Sequence, residues 1–302
     1  MKPERFKINM FHRIAFLGSP GSGKSTMGLS YPGIEMHSWG SSEEMTALNF
    51  HGRQDILKPV KLDWYDTLTE AEKLKFTDDK TTELEVTQLT KQGRARNVRR
   101  YRQYLYKLKD DIKGGKRPEV KSIFLDNLTP FMLEFEDYIE VVFAKDFITK
   151  DGNFDTISFY KRLNNEVQDF IRLFMSIECN TLMSCHIAMV ASEELSANTQ
   201  FMTAAKMGGV KKEWQPNLTG KVKFVIAGIP DWVFFLKVEE SAGQPTKHIA
   251  KLEADETNIG AAKSRFNPFD NPRRIEVPRN DFYNFFTKAI ESKLSKAVGQ
   301  GS

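Results

Sequence analysis

The sequence has little of what would set it apart from an ordinary packed domain. It holds 2 cysteines, Cys179 and Cys185, with no metal-ligand spacing and too few for a disulfide framework. Both lie in or beside apolar segments, which reads as buried free thiols. No apolar run approaches the ~20 residues that cross a bilayer. Met1 to Asn9 is polar and lacks the apolar core of a secretory leader. These absences point away from a membrane and toward the cytoplasm. There is no internal repeat and no low-complexity tract. Excess charge is also scarce: 44 Lys and Arg stand against 40 Asp and Glu, a net +4. That balance permits a polyanionic partner without demanding one. The 302 residues suffice for one large domain or two small ones with a sizeable core.

What is present is concentrated near the start. Gly18, Ser19, Pro20, Gly21, Ser22, Gly23, Lys24, Ser25 and Thr26 match G-x-x-x-x-G-K-[ST] without a gap. Arg13 to Leu17 before it reads as a short buried strand. Thr26 to Ser30 reads as the start of a helix, stopped by Pro32-Gly33. Strand, glycine loop and helix is the context a phosphate-binding loop requires. Glycines let the backbone wrap a phosphate chain with its N–H groups pointing inward. Lys24 is spaced to reach the β- and γ-phosphates, and the Ser25 hydroxyl to ligate Mg²⁺, so ATP and Mg are the expected ligands.

Further along, Gly33 to His37 and Val60 to Trp64 read as strands. Trp39 to Leu48 reads as a polar turn into a helix carrying Glu43 and Glu44. Thr67 to Arg117 is different: long, charged and ended by Gly114-Gly115. From Lys91 to Arg117 it holds 11 Lys and Arg against 2 acids. Ser122 to Asp126 is an apolar strand ending in an acid, followed past Pro130 by a helix over Phe131 to Ala144. Asp155 to Ile177 is a long amphipathic helix, with Ile157 and Tyr160 on its apolar stripe. Thr181 to His186 reads as a core strand ending in a polar group. Met189 to Thr219 reads as a long polar loop with room for a small hairpin. Val222 to Ala227, Asp231 to Val238 and His248 to Leu252 read as an antiparallel meander. Gly260 to Arg265 reads as a loop and Asn280 to Ala297 as a closing helix. The expectation is one α/β domain over 1–302, with a basic helical insertion at 67–117 and a C-terminal helix and tail at 280–302.

Asp126 at a strand end fits a carboxylate that holds Mg²⁺ beside the phosphates. His186, at the end of the next core strand, is either a sensor of the γ-phosphate or a satisfied core histidine. The order of segments resembles the RecA-like ATPases carried by phages, of the compact recombinase and single-strand-annealing type. It runs from the glycine loop through Ile123-Phe124-Leu125-Asp126-Asn127 and Leu182-Met183-Ser184-Cys185-His186 to Asp231-Trp232-Val233-Phe234-Phe235-Leu236 and Lys263-Ser264-Arg265. The resemblance covers roughly residues 10 to 270, interrupted by the basic 67–117 stretch. It implies a mainly parallel central sheet flanked by helices, with the loop strand in the middle and the phosphates at its C-terminal edge. It also implies a ring or filament with ATP at subunit borders, in the cytoplasm of a host cell. Lys263 and Arg265 match the basic pair that reaches a neighbour's γ-phosphate; otherwise they are a solvated surface pair. The family's general base follows the second strand, where Glu43 and Glu44 are the candidates and Glu35 is a third.

The loop from Met189 to Lys223 sits where such proteins place a DNA-facing loop. Lys206, Lys211 and Lys212 would neutralise phosphates there and Trp214 would stack on a base. Arg94, Arg96, Arg99 and Arg100, interleaved with tyrosines, offer a second basic surface or merely a charged helix face. The leading expectation is an ATP-dependent recombination protein that binds single-stranded DNA, oligomerises on it and promotes annealing or strand pairing. A single-stranded-DNA-binding protein is a further partner under that reading. A nucleotide-dependent protein-interaction module is the alternative. A small-molecule kinase ranks last, because no arginine-rich lid follows the glycine-loop helix.

Overall fold

The computed structural model describes residues 11–39, 56–57, 60–191, 212–219, 222–254 and 262–299. Its frame is a nine-stranded sheet. The strands are β1 (Arg13–Gly18), β2 (Ile34–Trp39), β3 (Val60–Leu62), β4 (Ser122–Asp126), β5 (Asn180–Cys185), β8 (Trp232–Glu239), β9 (Lys247–Lys251), β10 (Lys263–Ser264) and β11 (Ile275–Glu276). They lie in the order β11–β9–β8–β1–β5–β4–β2–β3, with β10 attached to β8. From β8 through β1, β5, β4 and β2 to β3 every pairing is parallel. Strands β9, β10 and β11 are antiparallel additions. Parallel strands have both faces covered, so their sequences run continuously apolar rather than alternating. Ile14, Ala15, Phe16 and Leu17 of β1 are all 0% exposed.

Alternate residues feed two cores. Ala15, Leu17, Ile123, Leu125, Val233 and Phe235 pack under α3 (Glu83–Lys113), α4 (Leu128–Val142) and α5 (Thr156–Met175). Ile14, Phe16, Phe124, Leu182 and Phe234 face the other way, toward α1 (Lys24–Leu29) and α7 (Phe282–Gly299). A short helix α2 (Glu70–Lys75) precedes α3.

The 67–117 stretch is a helical layer of the domain rather than an appendage. In α3, Val98, Tyr101, Leu105 and Leu108 are buried at three- and four-residue spacing against the main core. Thr82 and Glu85 form a capping box at its start, and Gly114 follows its last turn. Three of its arginines are met by acids on neighbouring helices: Arg94 by Asp137 at 2.9 Å, Arg96 by Glu72 at 3.0 Å and Arg102 by Glu166 at 2.7 Å.

Three local expectations differ from the structure. Val222–Gly228 is a helix, α6, not a strand. Val222 and Ile226, one helical turn apart, are buried in the main core, and short apolar runs carry no period that separates helix from strand. In α5, Leu163, Val167, Phe170, Ile171 and Phe174 of the expected stripe are buried, but Ile157 is 83% exposed and Tyr160 39% exposed, because Phe159 takes the buried place in the first turns. The C-terminal antiparallel meander is present, but its strands are β8, β9 and β11 rather than Val222 to Ala227, β8 and β9, and β8 also joins β1 in parallel. A separate hairpin pairs β6 (Ile187–Ala191) with β7 (Lys212–Pro216), Met189 opposite Trp214.

Candidate functional site

Parallel strands collect their C-terminal ends at one edge, and ligands of such sheets bind there. Here that edge holds Gly18 at the end of β1, His186 just after β5 and Asp126 at the end of β4. Between β1 and α1 the chain turns through Gly23, which adopts φ 93° as the residue before the helix. That left-handed conformation suits glycine and aims the following amides into the loop. Gly28 serves another need: a Cβ there would lie 2.6 Å from the Phe124 ring, so only glycine lets α1 lie flush on β4. Lys24 is 5% exposed, and its Nζ donates to the carbonyls of Gly18 at 2.9 Å and Ser19 at 2.8 Å. Neutral carbonyls are weak partners for an ammonium, and phosphate oxygens are stronger ones.

Asp126 is 2% exposed. The Ser184 hydroxyl of β5 donates to its Oδ1, while Oδ2 is buried with no hydrogen-bond partner. Burial pushes the Asp126 carboxyl above the usual carboxylate range, while the Ser184 and Ser25 hydroxyls and the Lys24 charge pull it back. A buried carboxylate oxygen without a partner, beside a serine hydroxyl, fits a Mg²⁺ ion. Among the described residues no group of three or more His, Cys, Asp or Glu could hold a metal by itself. Mg²⁺ takes one or two protein ligands and completes its shell with water and phosphate.

His186 sits against this pair. Its Nε2 accepts from Asn127 Nδ2 at 2.9 Å, and its backbone N–H donates to Thr129 Oγ1 at 3.2 Å. Its Nδ1 is buried without a partner. Burial, then the Lys24 charge, lowers its pKa, which favours the neutral imidazole. Asn127 also caps α4, accepting from the Thr129 amide at 2.7 Å. One side chain thus ties the helix behind Asp126 to the histidine behind the loop.

With that geometry in place, the match to known families is decisive. Residues 10–266 match the family model of an AAA domain. The chain belongs to the AAA-domain family. No curated protein matches it. The AAA domain makes it an AAA-type P-loop NTPase domain. No helix among its described residues is long and apolar enough to cross a membrane.

The other predicted residues of the AAA domain scatter. Glu43 and Glu44 lie outside the described residues, as do Lys206 and Lys211. Glu35 stands back from the sheet edge that holds the loop. It stands in the first half of β2, opposite Ile123, while Ser38 is the residue level with Asp126. It is 3% exposed and fully engaged, accepting from His37 Nε2 at 2.9 Å, Tyr104 OH at 2.5 Å and Arg117 at 2.6 Å. Lys263 and Arg265 sit at the opposite edge of the sheet from the loop, because β10 pairs with Trp232 and Val233 at the start of β8. Lys263 Nζ donates to Gly228 O at 2.8 Å, and Arg265 pairs with Asp231 at 2.9 Å. Neither serves this chain's own loop.

Lys212 lies on β7, and Trp214 on the same strand is half-buried against the main core. Trp214 also lines an open cleft of about 450 Å³ whose other wall is Ser19, Pro20 and Gly21. Arg94 and Arg96 are neutralised by their acids, which removes them as a free cationic surface. Arg99 and Arg100 are exposed, with no ion pair among the described residues.

Sequence reasoning missed Asn127, His248 and Arg279. His248 Nδ1 donates to Ser22 O at 3.1 Å, and Arg279 Nε donates to Thr26 Oγ1 at 3.2 Å. No motif marks either; only the sheet order β1–β8–β9 brings them to the loop. It also missed Glu134, whose carboxyl burial pushes up to about 7 against the pull of Asn97, Arg94 and Trp39. Its neighbours do not include the loop, so it is not assigned a role there.

Proposed function

We propose that this AAA-domain protein binds and hydrolyses ATP with Mg²⁺ and uses that cycle to act on single-stranded DNA, promoting annealing or strand pairing as an oligomer. Lys24 holds the phosphate chain, Ser25 and Asp126 hold the metal, and neutral His186 faces the terminal phosphate as a hydrogen-bonding sensor. Bound Mg²⁺ supplies charge neutralisation on the phosphates. Lys263 and Arg265 act, in this reading, on a neighbouring subunit's nucleotide.

The observation that carries the DNA reading is the continuity of site and hairpin. β6 begins at Ile187, directly after His186. The Asn217 amide returns from β7 to the His186 carbonyl at 2.8 Å. Trp214 lies on that hairpin beside the loop, and Lys206 and Lys211 fall between its two strands in the sequence. A shift at His186 is therefore passed to a lysine-bearing, tryptophan-bearing arm.

The test is fluorescence anisotropy of a labelled single strand with and without ATP and Mg²⁺, across salt concentrations. Binding should weaken steeply with salt, and an Arg99→Ala/Arg100→Ala variant should reduce the salt slope by about 1 for each phosphate that is no longer neutralised. Trp214→Ala should weaken binding by roughly 1–3 kcal/mol if its ring stacks on a base. Absence of any salt-dependent binding overturns the DNA reading.

A second reading, a nucleotide-dependent protein-interaction module, has its own support. Arg94, Arg96 and Arg102 are engaged in intramolecular pairs, and Ile148, Phe154, Ile157 and Tyr160 form an exposed apolar group. ATP-gated capture of a protein without DNA affinity would select it.

A further inference from the structure

We propose that Arg279, with His248 beside it, forms the nucleoside-side half of the nucleotide site, Arg279 contacting the phosphate chain at its nucleoside end. This rests on the nucleotide-binding reading above. The groups suited to the metal and the terminal phosphate, Asp126, Ser184 and His186, all come from β4 and β5 or the residue after β5, on one side of β1. A linear triphosphate with its terminal end there leaves the loop on the other side. That side is bounded by β8, β9 and the segment after β11.

Two side chains meet the loop from that side. His248, on β9, donates to the Ser22 carbonyl, and its ring lies 3.2 Å from where a Cβ on Gly23 would stand. Arg279 lays its stem 3.6 Å from the same point and donates through Nε to Thr26 Oγ1. Its backbone is fixed at both ends. Upstream, Glu276 pairs with Ile249 and the Val277 amide donates to the His248 carbonyl at 2.9 Å. Downstream, the Tyr283 amide donates to Ser30 Oγ at 3.0 Å, docking α7 on the end of α1.

The charge pairing around Arg279 sets it apart. Three nearby cations have a carboxylate: Arg273 has Glu253, Arg274 has Glu239 and Lys247 has Glu276. Arg279 is exposed and has no carboxylate partner among the described residues. With Nε on Thr26, its two terminal nitrogens form a fork of the kind that matches phosphate oxygens. Arg279 also lies beyond the matched stretch 10–266, so the family model does not assign it.

The experiment is calorimetric titration of the full chain with ADP and with ATP, each with and without Mg²⁺, for the wild type, Arg279→Ala and Arg279→Lys. Arg279→Ala should lose about 10-fold in affinity. The loss should be the same for ADP and ATP and independent of Mg²⁺, with Arg279→Lys recovering part of it. The melting temperature of the unliganded protein should stay at the wild-type value. A clamp that merely docks α7 would lower that melting temperature and leave affinity alone, which overturns the proposal. A loss confined to ATP, or to titrations with Mg²⁺, places Arg279 at the terminal phosphate and also overturns it. If the wild type binds and Arg279→Ala binds equally well, this inference falls while the nucleotide reading stands. If the wild type binds neither nucleotide, both fall.

Discussion

Asp126→Asn should lower ATP turnover by about 100-fold or more while leaving nucleotide affinity within about threefold. The substitution keeps the side chain's shape and an oxygen for the Ser184 hydroxyl to donate to. It removes the negative charge that would face Mg²⁺ from the end of β4. Burial already disfavours that charge in the unliganded protein, as the raised pKa records. Neutralising it should therefore not lower the unliganded melting temperature, which separates a lost metal ligand from a damaged fold. Steady-state phosphate release, calorimetry and a melting curve on the same preparation check all three parts. Unchanged turnover would remove Asp126 from the site.

Glu35→Ala should cost about 3 kcal/mol of stability. Three donors converge on the Glu35 carboxylate from β2, α3 and the Arg117 turn, and His37 in turn accepts from Tyr101 OH at 2.7 Å. Removing the carboxylate leaves the buried His37 donor and the half-buried Tyr104 hydroxyl without their acceptor, while Arg117 keeps its pair with Glu119. Burial alone would raise the Glu35 pKa, but the bonds from His37, Tyr104 and Arg117 win and hold it at about 2. The sign follows from a folded pKa below the unfolded one. The contribution, on the order of 3 kcal/mol, is fully present above about pH 4.5 and is lost as pH falls from there toward 2. Denaturant titrations at pH 7 and pH 3 should show the wild type converging on Glu35→Ala at the lower pH. Glu35→Gln, if the alanine variant does not fold, should lose less stability and keep ATP turnover. A large loss of turnover in Glu35→Gln with stability intact would restore Glu35 as the base.

These two residues show what could and could not be read from the chain. Gly18 to Thr26 was legible because its parts are contiguous, and Asp126 because an acid closing an apolar strand stands out once a phosphate loop precedes it. Glu35 also sits on a strand after the loop, but its distance from the sheet edge depends on register. Pairing of Glu35 with Ile123, three residues short of Asp126, is fixed by packing and leaves no mark in sequence. The basic run was only partly legible for a similar reason. Arg94 and Arg96 look free until Asp137 and Glu72, 43 and 24 residues away, are brought beside them. His248 and Arg279 lie more than 220 residues from the loop they touch, joined to it only by strand order. Local grammar marked the glycine loop; long-range pairing decided which charges are neutralised and which are available.

The central claim is that the loop around Lys24 is a nucleotide site, and its most direct test is calorimetric titration of ATP into the wild type and Lys24→Ala in the presence of Mg²⁺. The wild type should bind one nucleotide per chain. Lys24→Ala should lose at least about 100-fold in affinity, roughly 2.7 kcal/mol. Equal affinity in the two proteins would contradict the account.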